Sequence, residues 1–237
     1  MNSRKLFAIV NRELGAYFGS PLGYFVLFVF FLIYGLFFWM ICTGSHAATM
    51  QYFFSNTMFV FFITTPLVTM RLWSEEEKNG TAELLKTSPL TIWEIVIGKY
   101  LGACCFFLVM SSVTLVYLAF ILTLGNPDLM PLLANYLGYF LGVMAFFSIG
   151  LLASTLSENQ IISAIISLVV LLGLWVIGYA GNLVQGPFGD FLKYISVLTH
   201  TEDFFKGVID LSHVFYLVSL IFLGLFFSVK VLESKRS

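Results

Sequence analysis

Long stretches of this chain carry no charged side chain, and they restrict what it can fold into. There is no Asp, Glu, Lys or Arg between Glu13 and Arg71, and only Asp128 lies between Lys99 and Glu158. Charged residues make up 11% of the sequence and hydrophobic residues 59%, whereas soluble domains average about 25% charged. Such stretches cannot form a water-soluble surface. A soluble enzyme and a disordered chain are therefore excluded, and a net charge of -1 without a basic patch excludes a nucleic-acid-binding domain.

Six apolar segments are each about 20 residues long, the length that an α-helix needs to cross a bilayer. They are continuous rather than alternating, which favours helices over the strands of a membrane barrel. The predicted fold is an all-α polytopic membrane protein with six transmembrane helices, forming a single domain over residues 1–237. The first segment is too long for the apolar core of a signal peptide, which spans about 7–15 residues. The spans are placed at Leu22–Thr43, Tyr52–Leu72, Lys99–Thr123, Leu132–Leu156, Ile161–Val184 and His213–Val231.

The basic residues predict the orientation of these spans. Cytoplasmic loops of membrane proteins carry an excess of Lys and Arg. With both termini in the cytoplasm, ten of the twelve basic residues fall on that side, and only Lys193 and Lys206 fall outside. We therefore expect a multi-pass protein of the inner (cytoplasmic) membrane with cytoplasmic N- and C-termini. The ten are Arg4, Lys5, Arg12, Arg71, Lys78, Lys86, Lys99, Lys230, Lys235 and Arg236.

The segment before the first span has the pattern of an amphipathic helix. Basic residues Arg4, Lys5 and Arg12 lie largely away from the apolar stripe. This arrangement predicts an interfacial helix, within residues 1–21, that lies on the anionic inner leaflet. The alternative is a charged extension without a docking role. The stripe consists of Leu6, Ile9, Val10, Leu14 and Tyr17.

Residues 71–98 hold the dense cluster of charge in the sequence. Arg71 and Glu75 are spaced to pair on a helix, and Asn79-Gly80 predicts a helix stop. Thr81 is positioned to cap a short helix, Ala82–Lys86, with Glu83 near its positive end. The sequence Thr87-Ser88-Pro89 ends that helix, and the Thr91-x-x-Glu94 capping box starts the next. An alternative helix start, also left open, is Ser74 with Glu77 completing its box.

Two further connections and two glycine pairs have predicted roles. Residues 185–212 are too polar to span and too apolar for a free loop, so we expect one or two short helices at the outer interface. Residues 157–160 form a tight turn that makes spans four and five an antiparallel hairpin. The pairs Gly98/Gly102 and Gly138/Gly142 allow close helix approach, either within the chain or at a subunit interface.

The sequence lacks the residues that enzyme chemistry would need. Gly98-Lys99 does not complete a phosphate-binding loop, because Trp93 occupies the position of its first glycine. No cysteine or histidine has ligand spacing, so we predict no catalytic, cofactor or metal site, and His46, His200 and His213 are interpreted as ordinary interfacial residues. Mid-span positions lack the ionisable residue that ion-coupled transporters use. A lipid-modifying enzyme would have only His200, Glu202 and Asp203 at the outer face.

Residues 65–89 carry a recognisable motif. They contain Pro66-x-x-Thr69-Met70-Arg71, an acidic run, Gly80-Thr81-x-Glu83-Leu84-Leu85 and Thr87-Ser88-Pro89. This pattern resembles the signature of type-2 ABC transporter permeases. Within that family the chain is most similar to the gliding-motility-associated branch. Three further segments fit that branch as well: Arg12-Glu13, the run from Phe18 to Tyr24 and the run from Phe205 to Asp210.

The resemblance implies a permease subunit of an ABC exporter. It would form the substrate pathway with a second permease chain, identical or related, and would be driven by ATP bound on a separate ABC ATP-binding subunit. A coupling helix after span two would dock on that subunit, with an acidic rim facing it. The alternative is a non-transporting membrane scaffold of an envelope or motility assembly; cargo stays open among polypeptide, polysaccharide, lipid and drug. The implied coupling residues are Glu75, Glu76, Glu77, Gly80, Thr81, Glu83, Leu84, Leu85, Thr87, Ser88 and Pro89.

Overall fold

The computed structural model describes residues 3–44, 50–125, 127–184 and 186–235, and within these ranges every regular element is a helix. The predictions on His46 and Arg236 lie outside the described residues. The helices are α1 (Ser3–Phe18), α2 (Pro21–Gly44), α3 (Gln51–Thr69), α4 (Arg71–Lys78), α5 (Ala82–Thr87), α6 (Ile92–Ser111), α7 (Val113–Leu124), α8 (Leu129–Leu156), α9 (Gln160–Leu183), α10 (Pro187–Ile195), α11 (Val197–Phe205) and α12 (Leu211–Ser234).

The six predicted transmembrane helices are confirmed as six helical segments of sufficient length and apolar character. The second and third exceed their predicted lengths the most. The second runs on to Lys78, since Met70, between α3 and α4, keeps helical backbone angles (φ -55°, ψ -27°). The third begins at Ile92 rather than Lys99, because the predicted Thr91–Glu94 capping box forms in full. Glu94 N–H donates to Thr91 Oγ1 (3.2 Å), and Thr91 N–H donates to Glu94 Oε2 (3.1 Å).

Helix α8 lies at the centre of the bundle and packs against α3, α6, α9, α11 and α12. Its glycines bring these neighbours close. A Cβ atom on Gly138 would lie 2.3 Å from Phe204 Cβ, and one on Gly142 would lie 2.2 Å from Met58 Cε. The Gly138/Gly142 pair therefore serves packing within the chain. Outward-facing apolar side chains such as Phe28 and Trp39 are exposed, as expected for a surface that faces lipid.

The two ends of the bundle carry different elements. One end, here called the terminal end, brings together α1, α4, α5 and the C-terminal part of α12, since Lys235 Nζ lies 3.0 Å from Glu77 Oε2. The opposite end, called the far end, carries α10 and α11, in agreement with the one or two short helices predicted for residues 185–212. Gly178 and Gly181 of α9 let these helices pack closely on it. At the terminal end, α8 and α9 are joined by the predicted tight turn.

Helix α1 runs alongside α6 in the same direction, which corrects the prediction for its apolar stripe. Ile9 packs on Gly98, Glu13 on Gly102, and the Tyr17 ring stacks on Phe106 with centroids 4.5 Å apart. The contacts advance by four residues on both helices, so the two axes stay close over about 12 Å. Ile9, Val10 and Tyr17 are buried against the protein, so these three residues do not face the lipid leaflet, and the interfacial position of the helix stays a prediction. Helicity and amphipathic character were correct, but the period alone does not distinguish a protein partner from a membrane.

Candidate coupling site

Helix α5 is a short amphipathic helix at the terminal end, with one face against the protein and one face exposed. Ala82 and Leu85 are buried, whereas Leu84 is 71% exposed and Glu83 and Thr87 are also exposed. An exposed leucine beside a carboxylate, on the outer face of an otherwise anchored helix, is a suitable contact for a protein partner. The structure therefore divides the predicted coupling residues into an inner set that anchors α5 and an outer set that a partner can reach.

Gly80 makes the sharp turn between α4 and α5. Its φ of +70° lies in the left-handed region that glycine adopts at little cost. The N–H groups of Asn79, Gly80 and Thr81 donate to carbonyls of the last turn of α4, at 3.0, 3.1 and 2.9 Å. The helix stop predicted at Asn79-Gly80 is thus confirmed. These hydrogen bonds satisfy the carbonyls at the end of α4 and hold α5 at a fixed angle to α4.

Thr81 precedes α5, but its side chain does not cap the helix. Its Oγ1 donates instead to the carbonyl and the carboxylate of Glu76, both at 3.3 Å. The predicted cap was therefore wrong, because Gly80 turns the chain so that this hydroxyl faces α4. The alternative helix start at Ser74 was also wrong. Ser74 lies within α4, where the helix continues on both sides of it, and its Oγ donates to the Ser154 carbonyl (3.1 Å).

Four charged side chains from three helices meet beside α4, and we call Arg12, Glu13, Glu76 and Lys99 the charge cluster. Lys99 Nζ lies 2.8 Å from Glu13 Oε1 and 2.8 Å from Glu76 Oε1, while only 2% of its side chain is exposed. Arg12 pairs with both carboxylates as well. Removing one partner of a buried ion pair is strongly destabilising, because the remaining charge is left without compensation. The charge cluster therefore holds α1, α4 and α6 in one arrangement.

The other carboxylates of the acidic run are paired inside the chain too. Arg71 donates to both oxygens of Glu75 (2.8 and 3.1 Å), confirming the predicted i, i+4 pair, and also to Ser20 Oγ (2.7 Å). Glu77 pairs with Lys235 near the end of α12. Of the four carboxylates expected to form an acidic rim, the exposed one is therefore Glu83.

Helix α4 is also fixed to the central helix. Ser154 Oγ of α8 accepts hydrogen bonds from the backbone N–H groups of Trp73 (2.9 Å) and Ser74 (3.1 Å), and it donates to the Met70 carbonyl (3.1 Å). A side chain thus satisfies backbone groups where α3 passes into α4. On α3, Thr69 packs on Gly150 of α8, where a Cβ atom would lie 2.1 Å from Thr69 Oγ1. Motion of α4 is therefore linked to motion of α3 and α8.

The basic residues of α1 lie close to the coupling region. Lys5 Nζ donates to the Pro89 carbonyl (2.7 Å), just after α5, and Arg12 belongs to the charge cluster. Ser88 Oγ donates to the Leu85 carbonyl (2.7 Å) and ends α5. Sequence reasoning missed Glu13, Lys99 and Ser154. Only Lys99, a lone cation next to a glycine at the start of a span, gave a recognisable signal.

The described residues form a helical bundle with six candidate membrane spans, a short exposed helix after the second span and an anchored N-terminal helix. A family model described as "ABC-2 family transporter protein" matches residues 43–232. The chain belongs to this family of transporters, and it is a permease subunit, the transmembrane component of an ABC transporter. A comparison with curated proteins gave no match.

Proposed function

We propose that this chain forms the substrate pathway of an ABC exporter of the inner membrane, together with a second permease chain, identical or related. Its termini lie in the cytoplasm, and a separate ABC ATP-binding subunit supplies the energy. Support comes from family membership and from the basic residues at the terminal end. The observation that carries the proposal is α5, whose inner face is anchored while Glu83 and Leu84 stay exposed.

The coupling path starts at α5, which docks in a groove of the ATP-binding subunit. Closure of two such subunits on ATP displaces α5, and the hydrogen-bonded turn at Gly80 passes that displacement to α4. The charge cluster and Ser154 fix α4 to α1, α6 and α8, so these helices move with it as one body. We also propose that Gly80, Thr81, Thr87, Ser88 and Pro89 act by holding α5 in place rather than by touching the partner.

The test replaces the two exposed residues together, Glu83→Ala and Leu84→Ala. We expect loss of co-purification with the ATP-binding subunit, and loss of the ATP turnover that the permease stimulates in proteoliposomes. A matched control, Leu183→Ala with Asp190→Ala, removes an exposed leucine and an exposed carboxylate at the far end and should leave both readouts intact. Unchanged assembly and turnover in the first variant would refute the docking role. ATP turnover that never responds to this chain would favour a membrane scaffold.

Within the family we propose the gliding-motility-associated branch, on the resemblance of residues 65–89 and of the segments around Arg12 and Phe205. Deleting the gene in its native host and scoring movement over a surface tests this. Unchanged movement, with the transporter expressed in the parent strain, would place the chain in another branch.

A further inference from the structure

Three side chains at the far end form a continuous chain of hydrogen bonds to which the proposed function assigns no role. His200 Nε2 lies 2.8 Å from the Tyr194 carbonyl oxygen, and His200 Nδ1 lies 2.7 Å from His213 Nδ1. His213 Nε2 lies 3.0 Å from Asp203 Oδ2. The chain joins α10, α11 and α12, which are distant from α5. The sequence pattern treated these histidines as unconnected interfacial residues.

The protons in this series of hydrogen bonds can be placed by starting from its two ends, the Tyr194 carbonyl and the Asp203 carboxylate. A carbonyl oxygen only accepts, so His200 Nε2 carries a proton. A neutral His200 then has an unprotonated Nδ1, which accepts a hydrogen bond from the N–H at His213 Nδ1. The remaining His213 nitrogen, Nε2, faces a carboxylate, which also only accepts when ionised. Every contact is satisfied when His213 carries protons on both nitrogens and pairs with an ionised Asp203.

The surroundings put the charge on His213 rather than on His200. His200 is 3% exposed, and its ring stacks on Tyr216 with centroids 3.8 Å apart. Burial, together with the positive charge of His213, lowers the pKa of His200, so that it stays neutral. The Tyr216 hydroxyl donates to the Ile195 carbonyl, so this ring too is fixed.

The charged groups around these hydrogen-bonded side chains also favour a charged His213 and a neutral His200. Partial burial raises the pKa of Asp203, but hydrogen bonds from Lys206 and His213 outweigh this and hold it below its ordinary value. Lys206 Nζ lies 3.0 Å from Asp203 Oδ1. Asp210, which precedes α12, has a lowered pKa because Ser212 donates to it, so it adds a second negative charge. Tyr194 on α10 supplies the carbonyl already described.

We infer that His213 is a proton-binding site, and that its charged form strengthens the attachment of α10 and α11 to α12. The inference is independent of the docking role of α5. Phe204 and Thr201 of α11 pack on Gly138 and Gly142 of α8. Losing the proton therefore loosens a helix that touches the core of the bundle.

The sign of the pH dependence follows from the two partners. The pair is intact where Asp203 is ionised and His213 is charged. When His213 loses a proton at higher pH it keeps one N–H, so it can donate to Asp203 or to His200 Nδ1 but not to both. As the pH falls through the pKa of Asp203, which is held below its ordinary value, the carboxylate is neutralised and the ion pair is lost. A stronger attachment is thus expected in mildly acidic solution and a weaker one in alkaline solution.

The first measurement uses the wild-type chain with ¹⁵N-labelled histidine in detergent micelles. The sequence has three histidines, and His46→Gln identifies the ring signals of His46, which leaves those of His200 and His213. At pH 6 we expect one of these two rings to be protonated on both nitrogens and the other to be neutral with its proton on Nε2. Two neutral rings at pH 6 would overturn the inference, and this measurement needs no far-end variant to fold.

The second measurement compares His213→Gln with His200→Gln by hydrogen exchange of α11 amides, corrected for intrinsic rates. Glutamine at 213 cannot hold the extra proton, whereas glutamine at 200 can still accept from His213 and donate to Tyr194. Protection in the wild type should fall about tenfold between pH 6 and pH 8, as expected for loss of one hydrogen bond to a charged group. His200→Gln should keep this fall, and His213→Gln should abolish it. The same fall in His213→Gln would contradict the inference.

Discussion

Lys99 Nζ lies 2.8 Å from Oε1 of Glu76, although 22 residues separate the two positions along the chain and the ammonium is almost completely buried. The pair joins α4, which precedes α5, to α6, which follows it. Glu13 brings the N-terminal helix to the same ammonium. The charged region, which the sequence predicts as helices separated by short turns, is therefore a closed junction of three helices, with α5 attached to it.

Replacing Lys99 with Met should destabilise the protein by about 3–5 kcal/mol, because Glu13 and Glu76 would lose a buried counter-charge. Thermal unfolding in detergent measures this. Lys193→Met removes a more exposed lysine from a 3.9 Å pair at the far end and should cost well under about 1 kcal/mol. Adding Glu13→Gln to Lys99→Met should recover part of the loss. A double variant no more stable than Lys99→Met would show that the two groups are not coupled.

Replacing Gly102 with Ala should separate α1 from α6, since the new Cβ atom would lie 2.6 Å from Glu13 Cβ. We expect a loss of about 1–3 kcal/mol, typical of overpacking. Gly15 is on α1 and Gly173 is on α9, and neither would meet an atom within 4 Å. Gly15→Ala and Gly173→Ala should therefore be neutral or slightly stabilising, because alanine favours helix. Equal losses at Gly102 and Gly15 would contradict the α1–α6 register.

Replacing Ser154 with Ala should leave the buried N–H groups of Trp73 and Ser74 without an acceptor. The expected cost is about 1–3 kcal/mol in unfolding free energy. ATP turnover with the partner subunit should fall more than assembly does, because α4 is then less firmly joined to α8. Ser228→Ala is the control, since that buried hydroxyl donates only within its own helix, to the Gly224 carbonyl (2.7 Å). Identical effects of the two variants would contradict the conclusion that Ser154 joins α4 to α8.

Replacing Thr91 with Ala should cost about 1 kcal/mol, the usual value for losing a helix cap. Thr81→Ala, by contrast, should cost less than about 0.5 kcal/mol, because its hydroxyl makes long, exposed bonds to Glu76. Guanidinium unfolding of both variants distinguishes them. A larger loss for Thr81 than for Thr91 would show that Thr81 acts as the cap after all.

Local signals in the sequence predicted much of this structure. The six spans follow from apolar length, the start of α6 from Thr91 and Glu94, and the end of α4 from Gly80. The last two signals depend on residues within one or two turns of each other, and each span depends on one continuous apolar segment. The family pattern located the coupling region, and the structure then separated its exposed residues, Glu83 and Leu84, from its internal ones.

What the sequence did not predict depends on contacts between distant segments. Glu13 and Glu76 are ordinary surface residues by their local setting, and only the packing of α1 on α6 brings both to Lys99. Ser154 is one small residue in an apolar helix until α4 reaches it. His200 and His213 are separated by the turn between α11 and α12, so neither position alone indicates a shared proton.

Helix α1 is synthesised before α6, the helix on which it packs in parallel. It carries Ile9 and Tyr17, whose partners Gly98 and Phe106 belong to the third span. Until that span has been synthesised and inserted, the apolar stripe of α1 has no protein surface to cover it. During that interval it needs the membrane surface or a chaperone. The amphipathic pattern that the finished molecule hides is thus suited to an early stage of its biogenesis.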